Sequence, residues 1–259
     1  MTAAQRAVIA EREAEKWDAV SAAKADQSLL MSPGDNFAAY CERDSLSVGV
    51  RAFMGDLRGM RVLEYGCGSG FLTVLLAASG AQVTSFDISA GSVDLARRRC
   101  DANGFRDVRL QVANAEDPPF DDQSFDIIFG RAILHHLDAT LAAPHLERML
   151  VPGGRACFIE PLGINPVLSY VRDHVPYPNK NPVGDDHPFD DAELRAWGSW
   201  AGIYEWQELQ LLSMVERAFP YAWKVRLPNL ARVDQAIFRR WPATRRYARY
   251  VVMKMIKVA

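Results

Sequence analysis

The residues of this sequence best suited to chemistry lie close together in the chain: Glu64, then Gly66-Cys67-Gly68-Ser69-Gly70, then Asp87. Glycine at every second position permits a tight turn and a close backbone approach to a ligand. The third glycine arrives one residue early for the dinucleotide fingerprint G-x-G-x-x-G. The loop also lacks the Lys and Ser/Thr of a phosphate-binding P-loop. Glu64, just ahead of the loop, would crowd a pyrophosphate with like charge; it favours a ligand that carries an ammonium or sulfonium group. Asp87 stands 21 residues beyond Gly66. Its two acceptor oxygens suit the diol of a ribose, whether of NAD or of another adenosyl ligand.

A loop of this kind has to be carried between a strand and a helix, and the flanking pattern supplies both. Residues 60–66 (MRVLEYG) read as a strand and 70–80 (GFLTVLLAASG) as a helix closed by Gly80. Strands follow at 81–89, 108–115, 124–133 and 152–161, with helices at 90–104 and from about 134 to Leu150. Strand–helix alternation predicts an α/β fold, a parallel sheet with helices on both faces. Ahead of it, about 4–27 reads as one or two amphipathic helices, and 36–57 as another helical stretch after the SPGD break. Beyond Glu160 the regularity weakens. The proline-rich stretch 162–190 is long enough to be functional or to carry short helices of its own. Asp190 is placed to cap a helix over DDAELRAW, while YEWQELQLLS and RYVVMKMIKV read as further strands.

The 259 residues, 49% of them hydrophobic, suffice for one domain with additions. A formal net charge of -2 argues against a nucleic-acid binder. Cys41, Cys67, Cys100 and Cys157 form no CxxC pair, so no disulfide framework and no metal site is expected. The first twenty residues lack the apolar core of a signal peptide, and no apolar run nears the roughly 18 residues of a membrane span. The expectation is a soluble cytoplasmic protein. The tail is asymmetric: from Arg217 onward there are eleven Lys or Arg against one acid, Asp234, densest over 239–249. That is a solvated face, or a contact for an anionic acceptor, a membrane surface or an acidic partner. No RNA-binding module accompanies it.

VLEYGCGSG resembles motif I, E/D-x-G-x-G-x-G, of the class I S-adenosylmethionine-dependent methyltransferases, in the form that acts on small molecules. The resemblance continues in order through FDIS (86–89), NAEDPPFDDQSFDIIF (114–129), RAILHHL (131–137) and LVPGGRACFIEP (150–161), covering about 58–162. It implies a Rossmann-like, doubly wound, seven-stranded sheet whose last strand is antiparallel, over 58–259. Residues 1–57 would form an N-terminal helical lid, and acceptor-cap insertions would fall at about 162–202 and 214–246. It implies S-adenosyl-L-methionine as cofactor, with S-adenosyl-L-homocysteine as product. Gly66, Cys67, Gly68 and Gly70 would meet the methionine portion, with Glu64 holding the loop or reaching the amino group through water. Asp87 would take the ribose hydroxyls and Ile88 would pack on the adenine. Asn114, where the family commonly has Asp, would meet the adenine amino group. Ala115 would offer its N–H to the ring beside Glu116, and Arg131 would line the methionine end.

Methyl transfer is an in-line displacement, so alignment supplies much of the rate. A hydroxyl or acidic-carbon acceptor also loses a proton, which His can take near neutral pH. His135 and His136 follow the fourth strand, and His187 follows the long loop; each is a candidate base, or else a packing or capping residue. Glu160 points to the same crevice as an acceptor contact, or simply fixes the turn at Pro161. Trp17, Phe37, Tyr40, Tyr170 and Tyr177 are the aromatics expected to line an apolar acceptor pocket. O-methylation of a specialised metabolite leads. C-methylation of a prenyl, quinone or polyketide-like acceptor is the nearest rival, and a non-catalytic adenosyl-binding scaffold is the reading from another class. A homo-oligomer is a further expected form of the chain.

Overall fold

The computed structural model describes residues 3–24, 29–174, 188–218 and 230–258. Tyr177 and His187 lie outside the described residues. Seven strands form one sheet: β1 (Arg61–Tyr65), β2 (Gln82–Asp87), β3 (Arg109–Val112), β4 (Phe125–Arg131), β5 (Leu150–Pro161), β6 (Ile203–Leu209) and β7 (Tyr250–Ile256). Their order is β3-β2-β1-β4-β5-β7-β6. β1 to β5 pair in parallel, and β7 runs antiparallel to both β5 and β6. This is the Rossmann-like sheet with a reversed last strand that the sequence resemblance implies.

Each buried strand divides its side chains between two cores, as the period of two dictates. Leu63, Tyr65, Ile128 and Phe158 pack on one face, beneath α6 (Ala139–Met149) and α8 (Asp191–Trp197). Val62, Ile127, Phe129 and Ile159 pack on the other. That face is covered by α2 (Phe37–Arg43), α3 (Val50–Met54) and α4 (Phe71–Ala78). The helix expected over 36–57 is therefore two short ones, interrupted by a turn in which Gly49 has φ +77°. α5 (Ala90–Ala102) packs against α4, and α1 (Ala3–Ala23) packs along α5. Gly70 has φ +73°, and a Cβ there would sit 2.5 Å from the Ala96 Cα, so only glycine lets the loop after β1 meet α5.

The stretch after β4 is more irregular than a single helix. Ala132 takes a left-handed φ of +56°, a 3-10 turn covers Leu134–His136, and α6 begins behind Asp138, whose carboxylate caps Thr140 N–H. The 162–190 stretch carries α7 (Pro166–His174), capped by the Asn165 side chain. Asp190 caps α8 in a capping box with Glu193. Beyond β6 a 3-10 turn at Ser213–Ala218 packs with α9 (Leu230–Arg240), followed by a 3-10 turn at Pro242–Tyr247.

Candidate functional site

A cavity of about 390 Å³ opens at the carboxyl ends of β1, β2 and β4. Chain connections leave β1 in opposite directions here, β2 on one side and β4 on the other, which is where open α/β sheets bind ligands. Of the residues singled out from sequence, the cavity is lined by Trp17, Gly66, Gly68, Asp87, Ile88, Asn114, Ala115, Glu116, Arg131 and His136.

The floor is held by short-range polar contacts. Asp87 Oδ2 accepts the Gly68 N–H at 2.9 Å, and Oδ1 accepts the Ser89 N–H at 3.0 Å. Burial raises the pKa of this carboxyl from its ordinary value, and the N–H bonds counteract that. Asn114 Oδ1 accepts the Glu116 N–H at 2.9 Å, and Glu116 Oε1 accepts the Asp138 N–H at 2.8 Å, so the two loops beside the cavity are tied together. Tyr65, fully buried, donates its hydroxyl to the Ala115 carbonyl and so fixes that peptide's orientation.

Glu64 sits behind the loop and not in the cavity. One residue before Tyr65, it faces the opposite core, where Thr73 and Ser85 hydroxyls donate to its Oε2 at 2.5 and 2.7 Å. Burial pushes its pKa up to about 7. Its charge at neutral pH is therefore partial, and its direct work is to brace α4 and β2 under the loop. Cys67 is buried in a small cluster with Val93 and Ala96, and Gly70 serves the contact with α5.

The two histidines part company. The His135 Nδ1 lies 2.7 Å from Glu160 Oε2, and Glu160 Oε1 accepts the N–H groups of Ile133 and Leu134 at 3.0 and 2.9 Å. Glu160, fully buried, is thus occupied in holding the 3-10 turn. His136 lines the cavity, its ring 4.0 Å from that of His135. Burial and the His135 ring lower its pKa to about 4, leaving the imidazole neutral at pH 7.

The roof is α1. Arg6, Ile9, Ala10, Glu13 and Trp17 line the cavity from above. Glu13 Oε2 accepts the Trp17 Nε1–H at 3.0 Å and stands 3.7 Å from His136 Nδ1, while the Trp17 ring meets that of His136 edge-on at 6.0 Å. The helix is held on α5 by Asp18 Oδ1, which accepts from Ser89 Oγ at 2.5 Å and Gly91 N–H at 2.9 Å, and by the Ser21–Ser92 hydroxyl contact at 2.8 Å. Glu13, Asp18 and Tyr65 are contributions that sequence reasoning passed over.

Of the other aromatics, Phe37 is buried against Phe129, and Tyr40 packs beside Phe71 with Arg131 over its ring at 5.9 Å. Arg131 also pairs with Asp44 at 3.1 Å. Tyr170 is exposed on α7, stacked on His174. Among the described residues no group of three or more His, Cys, Asp or Glu could hold a metal ion, and no helix is long and apolar enough to cross a membrane.

Comparison with known proteins agrees with this geometry. Residues 63–158 match the family model described as a methyltransferase domain. The chain is 34% identical over 148 residues to a demethylmenaquinone methyltransferase of Clavibacter sepedonicus, covering 56% of each chain. It thus spans about half the length of that curated relative. In fold it resembles the geranyl diphosphate C-methyltransferase of Streptomyces coelicolor A3(2), solved with Mg2+, geranyl diphosphate and S-adenosyl-L-homocysteine. That likeness has a TM-score of 0.63 at 18% identity over 96% of this chain and 98% of that one. It also resembles the cyclase SpnF, with a TM-score of 0.64 at 18% identity over 96% and 97%. These two likenesses concern the fold alone.

Proposed function

We propose that residues 63–158, which match a methyltransferase domain, belong to a class I S-adenosylmethionine-dependent methyltransferase, and that the protein methylates a small, largely apolar acceptor on oxygen. Asp87 carries the reading. Each of its carboxylate oxygens already accepts one backbone N–H, and each retains capacity for one hydroxyl of a ribose diol. Around it the surroundings fit the rest of the cofactor. Ile88 offers an apolar wall for the adenine, Asn114 and the Ala115 backbone flank the ring edge, and Gly66 and Gly68 leave space for the amino-acid end beside Arg131. The cavity lining includes four carboxylates (Glu13, Asp87, Glu116, Asp138) against two guanidiniums (Arg6, Arg131), a balance that favours a sulfonium over a phosphate. S-adenosylmethionine, when bound, supplies an electrophilic methyl group.

The protein's own part is to align the acceptor, exclude water under α1, and receive a proton. His136 is the group in the cavity suited to the last task. With its pKa lowered to about 4, it is unprotonated at pH 7 but a weak base. Its neutral imidazole suits best an acceptor whose proton is already acidic, a phenol or enol before an aliphatic alcohol. An acidic carbon is the second acceptor such a base could serve. The test is transfer of labelled methyl to a panel of phenols, enols and prenyl compounds. The proposal expects label on the hydroxyl oxygen and a large fall in turnover, with little change in cofactor affinity, for His136→Ala. Label on carbon alone, or unchanged turnover in that variant, would overturn the oxygen assignment or the base assignment respectively.

A further inference from the structure

One surface lies outside the cavity's chemistry. α9 buries Asp234 and Phe238, and presents Arg232, Val233, Arg239 and Arg240 to solvent. Directly after it comes Trp241, 56% exposed, with the Arg240 guanidinium 5.5 Å from its ring. The 3-10 turn at Pro242–Tyr247 adds exposed Arg245 and Arg246, the latter 4.8 Å from the Tyr247 ring. α7 packs beside that turn, tied by Asn165 Nδ2 donating to the Tyr247 carbonyl at 2.6 Å. It exposes Val167, Tyr170 and Val171, one helical stripe at 58%, 62% and 37%. Asp234, the one acid from Arg217 onward, is buried and spent on the N–H groups of Leu211, Leu212 and Ser213. Glu208 meets Arg245 at 3.2 Å, but Arg232, Arg239, Arg240 and Arg246 have no acidic partner among the described residues.

We infer that this face docks on an anionic lipid surface. An exposed tryptophan, a tyrosine and three valines amid uncompensated arginines match the composition of elements that lie in a bilayer interface, apolar groups inserted and cations on the headgroups. A purely electrostatic site for an acidic protein would not call for a Trp left more than half exposed beside an apolar helical stripe. The location agrees. β7 is antiparallel, so Tyr250 at its start pairs with Pro161 at the end of β5. The arginine–aromatic segment thus lies at the end of the sheet formed by the carboxyl ends of the parallel strands, the end at which the cavity also opens.

The experiment is sedimentation of the full chain with vesicles of phosphatidylcholine alone and with phosphatidylglycerol added, at low and high salt. The inference expects salt-sensitive binding to the anionic vesicles only. Arg239→Ala/Arg240→Ala/Arg246→Ala should weaken it on the order of 100-fold, at about fivefold per arginine. Trp241→Ala should weaken it by about tenfold. Both variants should keep the wild-type melting temperature and affinity for S-adenosylhomocysteine, because none of these residues lines the cavity. Absence of binding to anionic vesicles would overturn the inference. So would equal binding by the triple variant, or binding to a polyglutamate peptide as tight as to vesicles with Trp241→Ala without effect. A protein that binds vesicles but no S-adenosylhomocysteine would refute the methyltransferase proposal and leave this one standing.

Discussion

The floor and the roof of the cavity are built by different means. The floor is backbone: glycine loop, strand ends and the Asn114–Glu116 turn, locked by N–H bonds to Asp87, Asn114 and Glu116. The roof is one helix laid across the opening, whose hydrogen bonds to the body run from Asp18 and Ser21 to the N-terminal turn of α5. The difference teaches a division of labour. A floor fixed by buried backbone suits a constant ligand, whereas a roof pinned by the exposed Asp18 and one buried serine pair is the part proposed to open for a variable one.

That contrast can be broken from either side. The largest effect belongs to the floor. Gly70→Ala would combine a left-handed φ with a Cβ 2.5 Å from the Ala96 Cα, and should cost about 3 kcal/mol or more in thermal unfolding. A melting temperature near wild type would mean that the loop does not depend on its close approach to α5. Next comes Asp87→Ala, which removes both acceptors proposed for the ribose diol. It should weaken S-adenosylhomocysteine binding by about 3 kcal/mol, roughly 100-fold by calorimetry.

Glu64 tests the support under the floor through pH. Its carboxyl has a folded pKa of about 7 against a usual 4.5. Between those values the native state holds the extra proton, and stability declines as pH rises through that window. Glu64→Gln cannot titrate, so its stability relative to wild type should grow from pH 5 to pH 8, on the order of 2 kcal/mol. The slope of opposite sign from His136, whose pKa is lowered to about 4, is common to both proteins and cancels. A pH-independent difference in urea unfolding would contradict the burial of a titrating Glu64.

The smallest effect is expected at the roof. Asp18→Ala removes two hydrogen bonds from an exposed residue and should cost about 0.5–1 kcal/mol. The readout is faster proteolysis within α1 with the main unfolding transition unmoved. Loss of the whole fold would show that α1 is part of the core rather than a removable cover.

The same contrast governs what the sequence made legible. The floor follows from spacing along the chain. Gly66 to Asp87 is one strand–helix–strand step, so a local pattern announces it. The parallel strands were legible for the same reason, whereas the reversed β7 followed only from the family resemblance. The roof depends on pairs distant in sequence, Asp18 with Ser89 and Glu13 with His136. No periodicity in residues 4–27 announces which face meets what. The charge argument at Glu64 pointed toward an adenosyl ligand for a reason the structure modifies. A one-residue step along β1 turns Glu64 away from the cavity and sends Tyr65 toward Ala115. Adjacent His135 and His136 were indistinguishable as types, and only the buried Glu160 assigns the first to the 3-10 turn and leaves the second in the cavity.

The central claim is that the floor holds an adenosyl sulfonium compound. Calorimetric titration of the full chain with S-adenosylmethionine, S-adenosylhomocysteine and NAD tests it most directly. The structure predicts binding of the first two, lost on Asp87→Ala, and none of NAD. Binding of NAD alone, or adenosyl binding indifferent to Asp87→Ala, would contradict it.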